Sequence, residues 1–321
     1  MISHTDSIIA DPSIPIEPWR PSLMAQINDF GMRSISHLSG TLSSLLGSRS
    51  KDHCAILTYH RVAPRITGVP APPYNVAPER FREQLTGLLL RGFQFVPLRR
   101  ALDCHDSGQA LPPSSVVVTF DDCFETVFTE AWPILKELQV PATLFLSTGY
   151  LDSDHPFPFD AWAEEFADSV PSSHYLPIRT EQCREMAASG LVELGTHTHT
   201  HADFRQHLQA FTEEMHFSTE IMHSRFGIDC PPFAFPFGSV ANGFASRALT
   251  EAAQASRVAC ALTTESKLID VRTSPFGWGR LNTFAWDTSS TLTGKLCGWY
   301  DWAPRLKHQL AGSFKKGCSQ T

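Results

Sequence analysis

Three stretches of the chain end in side chains that can do chemistry together. VVVTF (116–120) runs into Asp121 and Asp122, and LVELGT (191–196) runs into His197, Thr198, His199, Thr200 and His201. FAFPF (233–237) breaks at Gly238, just after Pro236 and Phe237. Adjacent carboxylates after a buried strand commonly serve as a turn or helix N-cap, and alternating histidines can simply line a solvated loop. Taken together they offer more. Two imidazoles and one carboxylate give a divalent metal three ligands and leave a position open for water, the pattern of a catalytic rather than a structural zinc. A metal so held lowers the pKa of water toward ~7, and the second, unligated carboxylate can take the proton. A turn bracketed by Pro236 and Gly238 can present backbone N–H groups to an oxyanion. His60, directly after AILTY (55–59), is either a proton donor or a hydrogen-bonded structural residue.

These residues need a scaffold that gathers strand ends. Short apolar runs alternate with amphipathic stretches from residue 53 onward. AILTY, FQFVPL (93–98), VVVTF, ATLFLSTG (142–149), LVELGT, FAFPF and VACALTT (258–264) read as strands. Between them, Phe81, Leu85, Leu88 and Leu89 recur at helical spacing up to Gly92. Val127, Ala131, Leu135 and Leu138 do the same around a kink at Pro133, and helices are expected near 180–189, across Phe204 to Phe226, and over 246–257. Such alternation argues for an α/β fold: a parallel sheet of roughly seven strands with outer helices, able to close into a barrel. Barrels of this kind carry catalytic groups at the carboxyl ends of their strands, where the Asp pair, the histidines and the Pro-Phe-Gly turn fall.

Composition limits the alternatives. The 321 residues include 42% hydrophobic residues with 22 Phe and 7 Trp, enough for a large core. Twenty-six Lys and Arg against 33 Asp and Glu give a net charge of -7, the wrong sign for a phosphate-neutralising protein, so no nucleic-acid partner is expected. Eight cysteines, none in a Cys-x-x-Cys pair, read as reduced core residues. The first 19 residues carry no basic n-region and no stretch of ~18 apolar residues occurs, which makes a cytoplasmic location the expectation. The segment Met24 to Gly47 has weak helical spacing with few charges. It reads as a leader packed on the domain, or as a helix giving peripheral membrane contact.

The order LTYHRV (57–62), TFDD (119–122), H-T-x-x-H (197–201) and FPFG (235–238) resembles the polysaccharide deacetylase family, the NodB-homology domain of chitin, peptidoglycan and poly-N-acetylglucosamine deacetylases. The resemblance spans about residues 54 to 285 and extends to the flanks PILKELQVPATLFLSTGYL (133–151) and FREQLTGLLLRGFQFVPL (81–98). It implies a distorted (β/α) barrel of about seven strands and one divalent metal ion, zinc, bound by Asp122, His197 and His201. Asp121 would be the catalytic base, and His199 would turn away from the metal.

Several positions depart from the family's pattern. Cys123 stands where a Gly is usual, and Ala234 where an Arg normally orients the base; Arg280, in GWGRLN (277–282), is the candidate replacement. The family's Leu-x-His motif for the general acid is matched by letters only at Leu306-Lys307-His308, in a helix-like tail, which leaves His60 as the candidate acid. FPFDAW (157–162) is either one wall of the cleft or a packed loop.

The expected organisation is an N-terminal extension (1–52), a deacetylase-like barrel (53–295) and a C-terminal helical tail (296–321). The expected activity is removal of N-acetyl groups from an amino-sugar glycan or saccharide precursor. Asp121, His60 and Arg280 would be the catalytic group, with Pro236, Phe237 and Gly238 binding the N-acetylated saccharide. Two alternatives remain at this level: deformylation or deacetylation of a polyprenyl-linked sugar, and a catalytically weak carbohydrate-binding relative.

Overall fold

The computed structural model describes residues 53–299 together with residues 33 and 38–40. The rest of the N-terminal extension, the residues from 300 to 321 and the Leu306-Lys307-His308 match lie outside the described residues. Among the described residues there are eleven strands. In chain order they are β1 (Ala55–Tyr59), β2 (Arg61–Val62), β3 (Asn75–Val76), β4 (Gln94–Phe95), β5 (Ser115–Phe120), β6 (Ala142–Leu146), β7 (Val192–Thr196), β8 (Phe233–Ala234), β9 (Ala261–Leu262), β10 (Phe276–Trp278) and β11 (Leu281–Asn282).

Nine of them form one parallel sheet, ordered β10-β9-β8-β7-β6-β5-β1-β11, with β4 beside β5. Only Gly279 and Arg280 separate β10 from β11. One extended segment therefore pairs with β9 through its first half and with β1 through its second, bringing the two ends of the sheet together. With that segment as a single stave the path has seven, which agrees with the expected distorted (β/α) barrel.

β1, β5 and β6 are buried at every position because a parallel sheet is covered on both faces. One set of their side chains packs against the outer helices: Leu57, Tyr59, Val116, Val118 and Leu144 share a cluster with Phe81, Leu85 and Leu135. Alternate residues face the other way, and Ile56, Val117 and Phe145 meet Ala234, Leu262 and Trp278 across the sheet.

The structure shortens several expected elements. The strand read over 93–98 is only Gln94–Phe95, because Pro97 caps a helix that begins at Leu98. FAFPF supplies only Phe233–Ala234, and VACALTT only Ala261–Leu262. The long helix starts at Leu208 and runs to Phe226, with Phe204 in the preceding loop. At Pro133 the helix does not break. A π turn over Val127–Ala131 passes into an α-helix at Trp132–Leu138, so the proline falls in the first turn, where its missing N–H costs nothing. β10, β11 and a helix at Ser289–Leu296 were not expected.

Candidate active site

The loops that leave β5, β7 and β8 share an uncommon backbone. Asp122 (φ 62°), Cys123 (φ 68°), Thr198 (φ 66°), His201 (φ 58°) and Phe237 (φ 59°) are all non-glycine residues in the left-handed region. Each costs of order 1 kcal/mol or more unless its surroundings enforce it, and such costs gather where a side chain must be aimed. The sharp turns aim three side chains at one point. Asp122, His197 and His201 are buried, and each offers a ligand atom within 4.8 Å of the others. Nε2 of His201 lies 3.3 Å from Asp122 Oδ1 and Nε2 of His197 lies 3.7 Å from it.

The donor set fits a metal ion. His197 donates from Nδ1 to the Ala234 carbonyl at 2.7 Å, which fixes its tautomer and leaves the Nε2 lone pair facing the carboxylate. Asp122 Oδ1 is buried with no hydrogen-bond partner, an expensive state for a carboxylate oxygen unless a cation meets it. Burial pushes the Asp122 carboxyl above its ordinary range and pulls both His197 and His201 down to about 4, so the imidazoles are neutral and able to ligate at physiological pH.

Asp121 has a different environment. Arg280 reaches it as a fork, Nη1 to Oδ1 at 2.5 Å and Nη2 to Oδ2 at 2.8 Å, and is itself fully buried and held by the Thr263 carbonyl. Burial alone would raise the Asp121 carboxyl, but Arg280 and His197 outweigh it and hold the group at about 2. Of two adjacent carboxylates, one is thus kept ionised by a guanidinium and the other is grouped with two neutral imidazoles that could hold a cation with it. Arg280 comes from the seam between β10 and β11, so the guanidinium that Ala234 cannot supply reaches Asp121 from another strand. Cys123 is fully buried, and its thiol donates toward the Phe145 carbonyl at 3.4 Å, outside the ligand group.

His60 leaves β1 on the same rim. Its charge bears on the ionisation of Asp121, Asp122 and His201. Its ring stacks on Tyr74, 4.6 Å between centroids, and Tyr74 stacks in turn on Phe284, while Nδ1 of His60 is buried without a hydrogen-bond partner. His199 turns away from the ligand group, with Nδ1 3.0 Å from Thr148 Oγ1.

Aromatic rings flank the ligands. The Phe237 ring lies 4.8 Å and the Phe159 ring 4.6 Å from that of His201. Gly238 N–H is folded onto the Pro236 carbonyl at 2.6 Å, which makes the turn tight. FPFDAW is a packed segment in large part. Phe157 and Trp162 pack inside, Phe159 stands beside His201, and Asp160 forms a buried ion pair with Arg61.

Two positioning groups escaped the sequence reading. Arg61 sits behind the site, its guanidinium against the faces of Phe124 and Trp162. Glu214, in the helix 208–226, accepts hydrogen bonds from the histidine loop. A detectable signal existed for Glu214. It falls within the buried stripe Phe211, Met215, Ser218 and Met222, where a carboxylate is out of place.

A parallel-strand barrel thus brings together, at its strand ends, a buried Asp-His-His group that could hold a divalent ion and a second, arginine-held carboxylate able to act as a base. Residues 108–256 match the family described as polysaccharide deacetylase. Over 124 residues the chain is 34% identical to poly-β-1,6-N-acetyl-D-glucosamine N-deacetylase of Escherichia coli (strain K12), covering 39% of this chain and 18% of that protein. Over 126 residues it is 31% identical to the enzyme of the same name from Staphylococcus aureus (strain MSSA476), covering 39% and 38%. The chain therefore spans well under half the length of these relatives. Among solved structures, IcaB from Ammonifex degensii is similar in fold, with TM-score 0.62 and 24% identity over 76% of this chain and 97% of that one. A de-N-acetylase from Aggregatibacter actinomycetemcomitans is also similar, with TM-score 0.64 and 19% identity over 76% and 100%. The resemblance to the polysaccharide deacetylase family read from the motifs is borne out.

Proposed function

We propose that this protein is a metal-dependent carbohydrate N-deacetylase that hydrolyses the acetamide of N-acetylglucosamine units in a poly-β-1,6-linked glycan. The observation that carries the reading is the division of labour between neighbours: Asp122 joins His197 and His201, while Asp121 is forked by Arg280. The two curated relatives carry the name of that substrate.

A divalent ion at Asp122, His197 and His201, zinc in our reading, would polarise the acetamide carbonyl and bring the pKa of water toward neutrality when bound. Asp121 takes the proton as water attacks. Arg280 keeps that carboxylate ionised and aimed throughout, since a guanidinium cannot pass its proton on. The tight Pro236-Phe237-Gly238 turn sets the Phe237 ring beside His201, where it packs against the acyl group. His60, held by the Tyr74 ring rather than by a hydrogen bond at Nδ1, protonates the departing amine.

The test is Asp121→Asn, assayed for acetate release and for bound zinc. Activity falls ~10²–10⁴-fold, the usual contribution of a positioned base, with zinc content and the melting transition retained. Near-normal turnover by Asp121→Asn would remove the base from this account. Unchanged kcat and pH profile in His60→Ala would likewise move the acid to another group.

A further inference from the structure

The five residues from His197 to His201 carry both histidine ligands on a backbone that enters the left-handed region at Thr198 and again at His201. A loop of this shape does not hold itself. Internally it is braced by His201 N–H to Thr198 Oγ1 at 3.1 Å. The rest comes from outside, from two directions. On one side, Thr148 N–H donates to the Thr198 carbonyl at 3.2 Å and Gly149 N–H to the His199 carbonyl at 2.8 Å, while Tyr150 Oη donates to the Thr200 carbonyl at 3.1 Å. On the other side stands one residue. Glu214 accepts the N–H of His199 at 2.8 Å and of Thr200 at 2.7 Å on one carboxylate oxygen, and the Thr200 hydroxyl at 2.8 Å on the other.

Glu214 is 5% exposed and projects from the buried stripe of its helix. Burying a carboxylate there costs several kcal/mol unless its oxygens are fully engaged. The three donors it engages all belong to the loop, so the helix 208–226 and the loop between His197 and His201 depend on each other. Without the acceptor, two adjacent buried N–H groups would be orphaned, and the loop could recover them only by leaving its left-handed turn.

We propose that Glu214 is a positioning residue for the metal centre: its carboxylate holds the His197–His201 loop in the strained geometry that sets the two imidazoles against Asp122, and so sets metal affinity without touching the metal. This rests on the metal-site reading above. It also assigns the 148–150 segment as the opposing jaw of the same clamp. Gly149 is the close-approach point of that jaw, because a Cβ there would lie 2.8 Å from the His199 carbonyl oxygen.

The test is the zinc dissociation constant of the full chain, measured by chelator competition, together with far-UV circular dichroism of the metal-free protein. Glu214→Ala weakens zinc binding ~10–100-fold, the usual effect of removing a group that orients a ligand, with the secondary structure retained. Glu214→Gln restores affinity to within a few-fold, since the amide oxygen accepts both N–H groups and the Thr200 hydroxyl can turn to accept from the amide nitrogen. Gly149→Ala, which leaves every charge in place, weakens binding in the same direction and carries the test alone should Glu214→Ala fail to fold. Wild-type affinity in folded Glu214→Ala or in Gly149→Ala overturns the proposal, as does a Glu214→Gln variant as weak as Glu214→Ala. A wild-type chain that binds no zinc fails the metal-site reading itself, a separate and recognisable outcome, and takes the clamp with it.

Discussion

Asp121 and Asp122 are neighbours in sequence with opposite electrostatic fates, and a single residue separates those fates. The Arg280 fork outweighs burial and holds Asp121 at about 2, well below the ordinary value of 3.8. A depressed carboxyl adds stability that is fully present above its unfolded-state pKa and is lost as pH falls from near 4 toward 2. Removing the guanidinium therefore costs stability at neutral pH and frees the carboxyl to rise. In Arg280→Met the acidic limb of the kcat/KM profile moves up by about 1–3 pH units, the usual influence of an adjacent arginine on a carboxylate, while zinc content stays near that of the wild type. An acidic limb that stays in place would mean that Arg280 serves the seam and not the base. The Asp121-Asp122 pair and the histidine cluster were legible in the sequence because apolar runs end beside them, and the choice of His197 and His201 over His199 followed from the family resemblance. Arg280 could be reached only by elimination after Ala234 was seen to lack a guanidinium. Arg61 and Asp160 were not legible, since a carboxylate or guanidinium reads as a surface residue until its partner is known, and Glu214 showed only as a carboxylate out of place in the buried stripe of its helix.

The elements divide in the same way. β1, β5 and β6 announce themselves as largely apolar runs because they are buried on both faces, while β7 interrupts its run with the half-buried Glu193. β8 and β9 lie within runs read as longer strands but are two residues each, whereas β10 and β11, two or three residues long among glycines, show no periodicity of their own. The helix Ser289–Leu296 is a more instructive omission. SSTLTGKL has poor helix formers, yet Thr288 and Thr291 form a reciprocal cap, and Lys295 buries its ammonium 2.7 Å from Asp287 Oδ2 and 3.1 Å from the Asn282 carbonyl. Asp287 also accepts from Phe284 N–H and the Thr291 hydroxyl. Tertiary contacts thus override weak propensity. They also fix Phe284, on which Tyr74 and then His60 stack, so this helix supports the rim from behind. Lys295→Met strands the Asp287 carboxylate and lowers stability by about 3–5 kcal/mol in chemical denaturation, and adding Asp287→Asn recovers part of the loss. No loss in the single variant would show that the pair is replaceable by packing alone.

At the scale of the whole molecule, the barrel converts distant sequence positions into one rim. Its seam makes this possible: the segment 276–282 spans from β9 to β1 and delivers Arg280 beside Asp121, although 159 positions separate them in the chain. The alternating pattern made the parallel sheet legible, whereas the pairing that draws its ends together depends on contacts of high sequence separation that no local pattern encodes. The expected cytoplasmic location and membrane contact rest on residues outside the described part. Among the described residues, no helix is long and apolar enough to cross a membrane. If these rim residues form a metal-dependent N-deacetylase, the most direct measurement is amine and acetate release from poly-β-1,6-N-acetylglucosamine oligomers by zinc-reconstituted protein, by chelator-treated protein and by Asp122→Ala. The zinc-loaded chain then yields equimolar acetate and free amine, and both are lost on chelation and in Asp122→Ala. Equal product with and without metal, or oligomer binding by the zinc-loaded chain with no acetate released, would contradict that reading.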